Sequence, residues 1–61
     1  MVISEKELSA LNELLSEEEL LIKKFQMLAT HSTDEEVKQK FTAISNEHKE
    51  HFRSLYSQLN S

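Results

Sequence analysis

The sequence predicts an all-α protein, an antiparallel two-helix hairpin over about 5–30 and 34–59 that pairs with a second copy to form a four-helix bundle. Three observations carry this. The chain has no glycine and no proline, so sharp turns and the punctuation of a sheet are missing. Apolar residues recur in steps of three and four along both halves, the period of a helix packed on one face. Two Ser/Thr-x-x-Glu signatures, one at the start and one midway, each mark the first turn of a helix.

Ser4-Glu5-Lys6-Glu7 is the first of these signatures. The Ser4 side chain is expected to accept from the Glu7 amide while the Glu7 carboxylate reaches back to the Ser4 amide, with Val2 or Ile3 stapled onto Leu8. From there Leu8, Leu11, Leu15, Glu18, Ile22, Phe25 and Ala29 form a continuous seam, of which Glu18 is the one polar member. Leu14, Leu21 and Leu28 run beside it at seven-residue spacing, and Leu20 and Met27 widen the apolar surface. A helix this broadly apolar wants two neighbours, and a hairpin supplies one.

The break falls at Thr30-His31-Ser32-Thr33. Without a glycine to cap the first helix, His31 or Ser32 must take the left-handed conformation or the helix must end loosely. Thr33-Asp34-Glu35-Glu36 is the second capping signature, and its three acidic residues suit the positive end of the helix dipole. So short a connection makes antiparallel neighbours. The second seam is expected through Val37, Phe41, Ile44, His48, His51, Leu55 and Gln58, flanked by Phe52 and Leu59, with the residues from Gln58 onward fraying. Glu13, Glu17, Glu18 and Glu19 then face Lys49 and Arg53 across the pair, which favours this register.

Residues 1–61 form one domain, with no internal repeat, low-complexity tract or linker. Two helices packed only on each other leave half their apolar surface wet, so a homodimer is the expected partner state. There is no cysteine, hence no disulfide and no thiolate metal site. Eleven acidic against seven basic residues, a net charge of −4, disfavour nucleic acid. The chain carries no apolar run of bilayer length and no signal-peptide pattern at its start, so a soluble, cytoplasmic protein without membrane association is expected.

The candidate site is Glu47-His48-Lys49-Glu50-His51 together with Glu18. His48 and His51 share one helix face at i, i+3 spacing, and with the turn near Ser32, Glu18 lies opposite residue 46, level with the turn of helix that holds His48. Burying a carboxylate and two imidazoles in an apolar seam costs several kcal/mol unless they are paired or metallated. A divalent transition metal, zinc, iron or manganese, fits this ligand set, with Glu47 as a flanking carboxylate able to swing inward. The metal-free alternative is an ordinary Glu18–His ion pair in a polar dimer seam. Nucleophilic catalysis finds no support, because Ser45, Ser54 and Ser57 are placed on outward or flanking positions with no base aligned behind them.

With these residues in view, the chain resembles one half of a ferritin-like bundle of the rubrerythrin and coat-F-like spore-protein type. The resemblance covers nearly the whole chain and rests on few residues. A first-helix glutamate lies seven residues before an aromatic, as Glu18 does before Phe25, and the run Ala43 to Phe52 looks like the second-helix Glu-x-x-His with His51 as its histidine. His48 stands where the family has its glutamate. The resemblance implies a metal centre in the bundle core. The His48 departure implies a Glu2His4 set across a two-fold axis, holding one ion or two separate ones, in place of a carboxylate-bridged di-iron pair. Ferroxidase or peroxidase chemistry is correspondingly disfavoured, and any enzyme activity would be metal-dependent redox. Some relatives, coat proteins among them, use the bundle as scaffold, which makes a metal-free structural or interaction module the alternative function.

Overall fold

The computed structural model describes residues 3–60, and these form two antiparallel helices, α1 (Glu5–His31) and α2 (Glu35–Ser57), followed by a single 3-10 turn over Gln58–Asn60. The 3-10 turn covers Gln58–Asn60, part of the stretch where fraying is expected, and Ser61 lies outside the described residues. The capping box at the start of α1 is complete. The Glu7 amide donates to Ser4 Oγ and the Ser4 amide donates to Glu7 Oε1, each at 3.1 Å. The Ser4 amide, and then its hydroxyl, hold the Glu7 carboxyl below its ordinary value. Ile3, at the staple position, is half-buried, whereas Val2 lies outside the described residues.

The turn departs from expectation in two ways. No described residue has positive φ, and Ser32 leaves α1 in an extended conformation (φ −71°, ψ 134°). A left-handed cap without glycine costs about 1–2 kcal/mol, and the extended exit avoids that cost. The cap of α2 is Asp34, not Thr33: Asp34 Oδ1 accepts from the Val37 amide at 3.0 Å, and the Ser32 hydroxyl donates to the Asp34 carbonyl at 3.1 Å. An ionised carboxylate at the positive end of the dipole is a better cap than a threonine hydroxyl.

On α1 the expected seam is the buried one from Leu11 onward: Leu11, Leu15, Glu18 and Ala29 are buried, and Ile22 and Phe25 half-buried, whereas Leu8, expected at its start, is exposed. On α2 the seam lies to one side of the expected line. Phe41, Ser45, His48, Phe52 and Leu55 step by four and three against α1, with Ser45 the most buried residue at 2 % exposure. His51 and Gln58 fall to the edge. The rotation half-buries the Phe52 ring in place of two polar side chains, which is the larger apolar gain. Ser45, expected on an outward or flanking position, instead marks the close approach of the helices, its hydroxyl donating to the Ile22 carbonyl at 3.3 Å. The pairs Glu18–His48, Ile22–Ser45 and Phe25–Phe41 set the register, symmetric about Thr33, one residue beyond the expected centre.

The expected ion pairs between the α1 glutamates and Lys49 or Arg53 are replaced by pairs within each helix. Arg53 bonds Glu50, Lys23 approaches Glu19 at 3.2 Å and Lys40 approaches Glu36 at 3.7 Å. Neighbours one turn apart meet with less side-chain ordering than partners on separate helices. The hairpin measures 46 × 16 × 10 Å, a slab one helix thick. Among the described residues no helix is long and apolar enough to cross a membrane.

Candidate metal site

The α1 seam delivers Glu18 to the middle of the slab because its neighbours on that stripe, Leu15 and Ile22, are held against α2. Only 12 % of the Glu18 side chain is exposed. From α2, His48 brings Nδ1 to 2.6 Å from Glu18 Oε1 and 3.3 Å from Oε2. One turn on, His51 brings Nδ1 to 3.4 Å from Glu18 Oε2. The two imidazoles meet edge to face with centroids 5.5 Å apart, as i, i+3 spacing on a helix dictates.

The rings differ in setting. His48 stacks on Phe25 at 5.9 Å and 14°, Phe25 packs in turn on Phe41 at 5.9 Å, and 20 % of the His48 side chain is exposed. His51 is 61 % exposed, at the open edge. Burial pushes the Glu18 carboxyl upward, but hydrogen bonds and positive charge from His48, and then from His51, outweigh it and leave the group below its ordinary value of 4.5. The geometry therefore keeps a buried carboxylate ionised. In the hydrogen-bonded state His48 Nδ1–H donates to Glu18, and no buried side-chain polar atom among the described residues lacks a partner.

Two of the three donor separations also suit a metal ion. One donor atom from each of Glu18, His48 and His51 lies within 4.8 Å of the other two. Zinc–ligand bonds of about 2.0–2.1 Å at tetrahedral angles place neighbouring donors about 3.3 Å apart. The Glu18 Oε2 separations from His48 Nδ1 and His51 Nδ1, 3.3 and 3.4 Å, have that length. The 2.6 Å contact to Oε1 is a hydrogen bond, which an ion would replace.

Of the four residues the sequence nominated, three come together. Glu47 is exposed and lies outside the group. Two features escaped the sequence. Phe25 is a wall of the site, and its signal was its place on the Glu18 stripe two turns along. A groove of about 400 Å³ adjoins Glu18 and His51, walled by Leu14, Leu21 and Leu55 with Glu17 and Ser54 at its rim. Of the three serines, Ser45 donates to a carbonyl in the seam, Ser57 donates to the Ser54 carbonyl at 2.7 Å, and Ser54 lines the groove beside His51 without a hydrogen bond to it.

Fold and site together define a helical hairpin whose seam carries one carboxylate clasped by two imidazoles. No family model, curated protein or solved structure matches the chain.

Proposed function

We propose that this is a small ferritin-like metal-binding protein, in which Glu18, His48 and His51 hold a transition metal, zinc, iron or manganese, at the centre of a homodimeric four-helix bundle. The observation that carries it is the donor geometry: a buried, ionised carboxylate oxygen lies at ligand-edge distance from two imidazole nitrogens on one helix face. Bound zinc would supply a structural tie between α1 and α2, whereas iron or manganese would add redox capacity. The chain's own part is to hold the donors, with Phe25 fixing the His48 ring and the seam leucines excluding water from one side of Glu18.

Elemental analysis of untagged protein, with metal counted per chain, tests this. About one-half to one equivalent is expected, lost in both Glu18→Ala and His51→Ala, with chelator lowering the melting temperature of the loaded protein. A melting temperature indifferent to chelator, and no metal after reconstitution, would sink the site.

A second reading follows from the 2.6 Å His48–Glu18 hydrogen bond, which satisfies the buried carboxylate without any ion. The chain is then a metal-free interaction or coat-type module, and its polar layer fixes the register of the helices. On that reading His48→Leu together with Glu18→Leu stabilises the hairpin, since an apolar layer replaces a desolvated pair.

A further inference from the structure

We infer that a second copy of this chain docks on one side of the slab, the side bearing Leu14, Leu21 and Leu28 of α1 and Val37, Ile44 and His51 of α2, and that the opposite side stays in water. This rests on the homodimer of the preceding reading and adds which face is used and what the partner covers.

The two sides differ in chemistry. In an antiparallel pair the positions flanking each seam on one side come together, here at seven-residue spacing on both helices. On the proposed side that row is apolar apart from His51, and it encloses the groove walled by Leu14, Leu21 and Leu55. The other side presents Asn12, Glu19 and Gln26 from α1 and Thr42 and Lys49 from α2, with Tyr56 as its aromatic residue. Leu20 and Met27, though exposed, lie on the back of α1 and share no row with α2.

Area points to a second copy as the occupant. The hairpin exposes 4757 Å², while a compact 7.1 kDa monomer exposes about 4,100 Å². The surplus of roughly 650 Å² is close to the ~800 Å² that each partner contributes to a standard interface. Among the described residues the buried apolar side chains are only Leu11, Leu15 and Ala29, so a second slab laid on this side builds most of the missing core. The two-fold related copy presents the same apolar row, so the surface is self-complementary. It also covers the exposed ring of His51, closing the site on the edge where it is open to solvent.

The test uses the full chain in chelator, so that docking is judged apart from metal binding. Light scattering and sedimentation should give twice the 7.1 kDa chain mass. Leu21→Glu, which sets an unpaired carboxylate in the interface, should weaken dimerisation about 100-fold, while Gln26→Glu on the opposite side leaves it within about threefold. Because Leu21→Glu could unfold the hairpin, single-cysteine variants supply a second measurement: protection of a Leu21→Cys thiol should rise with protein concentration, and a Gln26→Cys thiol should stay reactive. A mass of one chain at all concentrations overturns the proposal even if metal binds. A dimer that protects position 26 and not 21 overturns the choice of face. Loss of metal binding with dimerisation intact overturns only the site.

Discussion

Two buried polar residues interrupt the apolar seam about one helical turn apart, and the hairpin accommodates them in different ways. Ser45 is the more deeply buried, yet its hydroxyl is satisfied by the backbone it touches, the Ile22 carbonyl, and asks nothing of other side chains. Glu18 is nearly as buried and cannot be satisfied locally, so it draws two imidazoles from the opposite helix and a stack of aromatic rings behind one of them. The serine makes the helices fit. The carboxylate makes one helix depend on the other, and that dependence is what a binding site requires.

The largest effect expected from this contrast is in His48→Ala. The substitution removes the 2.6 Å partner of a buried carboxylate and the ring stacked on Phe25, leaving the charge only the more distant His51 at 3.4 Å. A loss of about 3 kcal/mol in urea unfolding of the metal-free protein is expected. In a double-mutant cycle with Glu18→Ala the two losses should fall short of additive by more than about 1 kcal/mol. Additive losses would mean that the layer is merely tolerated, as Ser45 is.

Acid titration separates the same two residues, because only one of them ionises. The folded Glu18 carboxyl lies below its ordinary 4.5: burial raises it, and the His48 and His51 contacts lower it further than burial raises it. A group depressed on folding contributes stability that is fully present above its unfolded value and is lost as pH falls through the folded one. The stability gap between wild type and Glu18→Gln should therefore close as pH is lowered from about 6 to about 3, measured by chemical unfolding at each pH. A gap that stays constant over that range would assign the Glu18 contribution to packing instead of charge.

The helices themselves were legible because the capping signature, the periodicity and the missing glycine and proline all concern neighbours in sequence. Ser4, Glu7 and the seam from Leu11 to Ala29 stand where those rules put them. The α2 seam was harder, since with Phe41, His48 and Leu55 common to both, Ile44, His51 and Gln58 form as good a stripe as Ser45 and Phe52 until the rotation of one helix against the other is known. A small residue at a close approach has no periodic signal, so Ser45 was misplaced. Glu18, His48 and His51 could be brought together from spacing alone because a three-residue connection, Ser32 to Asp34, tolerates little error in register. Their unequal burial could not, because it depends on which side of the slab each ring faces.

The smallest effect should come from the most buried side chain. Ser45→Ala keeps the small volume that lets the helices approach and deletes one hydroxyl whose acceptor, the Ile22 carbonyl, lies within the continuous helix of α1 and retains its own helical partner. No buried group is orphaned by the change. Removing both a donor and its need for an acceptor is nearly neutral, so a loss below about 0.5 kcal/mol is expected in the same urea experiment. Exposure alone would rank Ser45 at 2 % above Glu18 in sensitivity. If Ser45→Ala cost as much as His48→Ala, burial and not the need for a partner would govern the seam, and the contrast between the two layers would collapse.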